Sequence, residues 1–307
     1  MNPAERFAPA PLLAPARAKS HGVSAHPRTL AAAALCAIAT LACGPGSSSA
    51  AASESPAGGP AERIQALVEA YQPVPANATS DKHDAALQHR RALLEGLRGG
   101  DRELGLAAWA AFRANEHGRD ELRSALLEVA SVCDPADMAP VLEHMVVTYD
   151  SGLGLGLRTR AAELLAETAP ERALEVLAPL LTAKDINATL PPREVMVRAW
   201  ASAARAAKSQ DLGVLIDVAA DIRQPADTRY AAIAELGVFG GPTARQALEE
   251  VLFEPTSDAY LRRKAAQSLE AFLEPAELCP ILERAGSHEH DEIFAQFLAS
   301  MMAKHCP

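Results

Sequence analysis

The chain holds 307 residues at a formal net charge of −10, with 22% charged and only 4% aromatic residues. An acidic chain short of rings excludes a nucleic-acid binder, which needs basic stripes and stacking platforms. It equally excludes docking by charge on anionic lipid headgroups. The length allows one large core or a row of small ones.

In chain order, Arg6, Arg17, Lys19 and Arg28 precede TLAAAALCAIATLA at 29–42, an uncharged run too short to span a bilayer. Basic, then apolar, then small residues is the order of a secretory signal. From Gly44 to Pro60 the chain is glycine, serine, proline and alanine, with Glu54 the one exception and no large apolar side chain. Such a segment buries too little surface to offset its ordering entropy, and is expected to be a disordered tether.

Leu41, Ala42, Cys43 and Gly44 resemble the end of a bacterial lipoprotein signal. That resemblance implies a lipid on Cys43, with residues 1–42 removed, 43–60 as tether and 61–307 as the folded domain. Thr40 departs from the pattern, which favours leucine three residues before the cysteine, and an ordinary cleaved signal is the alternative. Initiation at Val23 would leave a signal of ordinary length. Gly44, in place of a retaining aspartate, points to the outer membrane of the cell envelope.

Beyond Ala61, apolar residues recur at helical spacing and turn signals fall every 12–18 residues, which predicts an all-α domain. Residues 61–84 hold a first helix and a PVPANATSD loop. DPADMAPVLEH at 134–144 and EPAELCPILER at 274–284 match in register, and Pro170 opens a third copy 35 residues after Pro135. Preceding helices repeat as well: RTRAAELLAE at 158–167, TRYAAIAELG at 228–237 and RRKAAQSLEA at 262–271, with VRAWASAARA at 197–206 a degenerate copy. Each helix pair carries one narrow apolar stripe that only a neighbouring pair can cover. Phe294, Phe297, Leu298 and Met301 form the stripe of the last helix.

These paired-alanine and proline signatures resemble HEAT repeats, most of all the short bilin-lyase-like kind. The resemblance implies a right-handed α-solenoid of about six antiparallel helix pairs, with function on a concave face lined by the second helix of each pair. Tetratricopeptide repeats are the alternative, although their Trp, Leu-Gly, Tyr and Pro set is missing. On those second helices Glu143, Glu175, Asp217, Glu249, Glu250 and Glu283 are expected to face outward, with Arg172, Arg245 and Arg284 between them. They suggest an acidic groove for a basic protein partner.

Chemistry is harder to place. DSGLGLGLR at 150–158 lacks the lysine and hydroxyl of a phosphate loop and reads as a loop between helix pairs. HEHDE at 288–292 offers His288 and His290 as weak metal candidates, with Asp291 and Glu292 read as first-turn acids. No cofactor, catalytic set or nucleic acid is expected. Cys279 and Cys306 on the last two helices form the candidate disulfide, although rise per residue carries Cys306 roughly 10–15 Å past Cys279 unless the tail folds back. The sequence therefore points to an anchored, non-catalytic protein-binding scaffold. The alternatives are an assembly factor using Phe294 and Met301 at an interface, and a metal-dependent enzyme at His288 and His290.

Overall fold

The computed structural model describes residues 58–148, 153–183, 190–254, 257–287 and 289–306, and among them there is no strand. The helices are α1 (Pro60–Ala70), α2 (Ser80–Leu97), α3 (Arg102–Ala114), α4 (Asp120–Cys133), α5 (Pro135–Val147), α6 (Leu155–Thr168) and α7 (Pro170–Thr182). They continue as α8 (Arg193–Ala206), α9 (Gly213–Ala220), α10 (Ala226–Phe239), α11 (Gly241–Phe253), α12 (Ala259–Glu270), α13 (Pro275–Ser287) and α14 (Glu292–His305). Pro135, Pro170 and Pro275 each open their helix, where a missing amide proton costs nothing. The segment expected as a loop over 150–158 is helical from Leu155: Leu157 is fully buried in the core, while Leu155 stays exposed on the opposite side. Cys43, and the signal and tether around it, lie outside the described residues.

The helices pack in neighbouring pairs and in two rows. Even-numbered helices from α2 to α14 each touch the next even one, while odd-numbered helices form a second row that is loosest between α3 and α5. Small residues draw the even row together. Ala161, Ala162, Ala203, Ala204, Ala232, Ala265 and Ala266 are fully buried. Residues 125–131 of α4 are buried without interruption, so that helix is enclosed on all sides. Gly237 of α10 is a closer approach still: a Cβ there would lie 2.7 Å from Ser268 Cβ and 3.0 Å from its Cα on α12. Gly237→Ala is therefore expected to cost about 1–3 kcal/mol, since backbone must move, and a urea midpoint unchanged from wild type would refute this.

The odd helices are amphipathic. Leu142, Leu177, Leu215, Leu248 and Leu282 turn inward onto the even row, each fully buried. Burying such a side chain contributes roughly 1.5–3 kcal/mol.

A second periodic feature holds the rows together. Arg158, Arg193, Arg229 and Arg262 stand within the first four residues of α6, α8, α10 and α12, at intervals of 35, 36 and 33 residues. Each donates to backbone carbonyls at the end of the preceding odd helix. Arg158 reaches Met145 and Val146 at 3.1 and 3.0 Å, and Arg193 reaches Leu181 and Ala183, both at 3.1 Å. Arg229 reaches Ala219 at 2.9 Å and Arg262 reaches Leu252 at 3.0 Å. Terminal carbonyls have no partner within their own helix, and the helix dipole makes that end negative, so a buried guanidinium satisfies both.

The C-terminal pair closes the stack. Phe294 and Leu298 of α14 are fully buried and Met301 is 5% exposed, with the Arg262 guanidinium 4.4 Å above the Phe294 ring. Burial removes Phe294 and Met301 from any interface with another protein. Cys279 and Cys306 form a disulfide with their Cα atoms 5.7 Å apart. The register offset expected from helical rise is absent: the residue that ends α14 lies beside Cys279.

Candidate functional site

The acids proposed from sequence lie on the odd row, and three of the six, Glu143, Glu175 and Glu249, are tied into ion pairs. Arg172 of α7 holds Glu143 of α5 at 2.7 Å and Glu175 at 2.7 Å. Arg245 of α11 holds Glu249 at 2.8 Å and Glu277 of α13 at 2.9 Å, and Arg284 reaches Glu249 at 2.6 Å. The carboxylates raise the guanidinium pKa of Arg172 and Arg245. Three of these exposed pairs bridge neighbouring odd helices, and solvent screening keeps the contribution of each small. Glu250 accepts a hydrogen bond from Gln246 at 3.0 Å. Asp217, Glu250 and Glu283 are exposed and make no ion pair among the described residues.

Grooves open between consecutive odd helices, near their C-terminal ends and beside the arginine series. Between α3 and α5 lies a cleft of about 620 Å³ lined by Trp109, Phe112, Val141 and Met145, with Arg113, Glu116 and His144 among its polar residues. Trp109 stacks on Phe112 at 5.0 Å, and the Arg123 guanidinium lies 4.8 Å from the Phe112 ring. Between α7 and α9, Thr182, Asp217, Asp221 and Gln224 line a polar groove of about 400 Å³. Between α9 and α11 is an apolar slot of about 250 Å³ containing Ile216, Val251 and Glu250. Sequence reasoning missed these grooves and the arginines beneath them. The signal was present in RTRAAELLAE and RRKAAQSLEA, where an arginine stands three residues before the alanine pair.

Asp221 at the polar groove is a titration marker. Hydrogen bonds from the Arg223 side chain and amide hold its carboxyl at about 2. Because the folded value is depressed, the stabilisation is complete above the ordinary carboxylate range and fades as pH falls from about 4 towards 2. Carbon-detected NMR titration is expected to place Asp221 lowest among the groove carboxylates, and an ordinary value would contradict the Arg223 contact.

The HEHDE cluster is largely structural. The Glu289 side chain is 4% exposed and paired with Arg262, and it also accepts from the Asp291 amide. Burial opposes ionisation of Glu289, but these hydrogen bonds prevail and its pKa is lowered. Asp291 caps α14 by accepting from the Phe294 amide at 2.8 Å. His290 is exposed, and His288 lies outside the described residues. Among the described residues no group of three His, Cys, Asp or Glu side chains is placed to hold a metal ion. Cys133 donates to the Leu97 carbonyl at 3.4 Å, and burial raises its thiol pKa, which disfavours the thiolate. No helix among the described residues is long and apolar enough to cross a membrane.

Paired rows of short helices with recurring interhelical grooves define a helical-repeat protein. No protein-family model matches the chain, and neither a curated protein nor a solved structure matches it.

Proposed function

We propose that this protein is a non-catalytic binding module of the bacterial cell envelope. In this reading it is an α-solenoid of short HEAT-like repeats, tethered by a lipid on Cys43, that holds a segment of a partner protein across the odd row. The observation that carries it is the recurrence of open grooves between consecutive odd helices on one face. Repeat stacks build extended binding surfaces from such positions. The aromatic cleft beside Trp109 suits an apolar anchor of the partner, the kind of contact that dominates interfaces. Asp217, Glu250 and Glu283 supply acidic charge outside the ion-pair ladder, which suits a basic segment and speeds its encounter.

Crosslinked capture from the native envelope tests this reading. Trp109→Ala, and separately the triple change Asp217→Lys, Glu250→Lys and Glu283→Lys, are each expected to weaken recovery of the same partner roughly tenfold. Arg198→Glu on the exposed side of α8 serves as the control and is expected to leave recovery unchanged. Undiminished capture by both variants would move the partner off this face. Cys43→Ser is expected to shift the protein from membrane to soluble fractions, and retention at the membrane would end the anchoring model.

A further inference from the structure

The arginine series is an internal control, because the same side chain meets a different neighbour in each repeat. Gln224 Oε1 accepts from Arg193 Nη1 at 2.7 Å, and the buried Glu289 carboxylate accepts from Arg262 Nη2. Both partners come from the turn that precedes the next even helix. At Arg229 the corresponding turn supplies only Ser257, whose hydroxyl lies 3.4 Å from Nη2, the outer limit of a hydrogen bond. Its one well-formed bond runs from Nε to the Ala219 carbonyl, and among the described residues Nη1 makes none.

Arg229 is 7% exposed and borders the slot between α9 and α11. Burial lowers its pKa against the attraction of Asp221, Asp258 and Glu254, as expected of a desolvated charge without a close carboxylate. Ile216, Ala219, Ala247 and Val251 make the slot apolar, and exposed Glu250 and Glu254 also border it.

We propose that this slot binds a monocarboxylate carried on a short apolar body. On Arg229 the carboxylate takes the place that Glu289 takes on Arg262. Charge-assisted hydrogen bonds of this kind are the stronger ones, and a poorly hydrated site strengthens them further. Glu250 opposes a multiply charged anion more than a single carboxylate, which favours the monocarboxylate over a phosphate, and the aliphatic walls suit a small branched chain. The carboxylate is either a free acid or the C-terminal residue of a polypeptide. Only the second source rests on the partner-binding reading.

Calorimetry and thermal shift on the full chain test the site with isovalerate, isovaleramide, and acetyl-Gly-Gly-Val with a free or amidated C-terminus. Each acid is expected to bind at least roughly tenfold tighter than its amide. Ser257→Glu, which supplies the carboxylate from within, is expected to melt above wild type and to lose the response to acids. Arg229→Gln also removes the clamp on α9, so Ser257→Glu is the decisive variant. A peptide acid bound far tighter than isovalerate assigns the site to a polypeptide end, and comparable affinity assigns it to a free acid. Equal response to acid and amide, no response to either acid, or an undiminished response in Ser257→Glu overturns the proposal. None of those failures touches the capture experiment at Trp109, so the two readings fall separately.

Discussion

Replacing Arg193 by methionine is expected to lower the free energy of unfolding by on the order of 3–4 kcal/mol, measured as a shift in the urea midpoint. Arg193 is 6% exposed, and among the described residues its guanidinium donates to the Leu181 and Ala183 carbonyls and Gln224 Oε1. Hydrogen bonds from a charged donor contribute about 1.5–3 kcal/mol each, and the orphaned acceptors would stay buried. Relief of the desolvation that lowers the Arg193 pKa offsets part of the loss. Arg172→Met, on an equally well-paired but exposed arginine, is expected to leave the urea midpoint close to wild type. Equal costs at the two sites would show that the buried series is ornamental.

Breaking the Cys279–Cys306 bridge has the second large effect. It closes a loop of sequence separation 27, for which chain entropy gives roughly 3–4 kcal/mol. The loss is expected to be local. Packing of α14 is chiefly against α13 and α12, so reduction or Cys306→Ser frees the last pair first and uncovers Leu278, Ile281, Leu282 and Leu298. Hydrogen exchange should accelerate in α13 and α14 under reductant while α4 to α8 keep their protection. Uniform acceleration along the chain would contradict a bridge that acts only at the end.

Helix type and helix starts were legible in the sequence because they are local. Pro135, Pro170 and Pro275 announce their own positions, and the alanine pairs mark the crowded row. The arginine series was harder to see because it offers one residue per repeat and its register slips. Arg193 lies outside the segment 197–206 that matches its neighbours, where exposed Arg198 stands instead. Which acids stay unpaired was not legible either. Glu143 and Glu249 look like Asp217 in sequence until Arg172 and Arg284 arrive from other helices, joined at Glu249 by Arg245 from one turn earlier on α11. The disulfide register failed for a simpler reason: counting rise per residue assumes that two helices start level.

The two rows make contact almost wholly between helices close together along the chain. Loop-closure penalties are small in such a molecule, and assembly can begin at any pair and spread outward like a zipper. Unfolding should therefore spread between neighbouring pairs, and a local substitution still moves the apparent urea midpoint. A protease added at intermediate urea would trim from the open end and stall at the end that the disulfide has sewn shut.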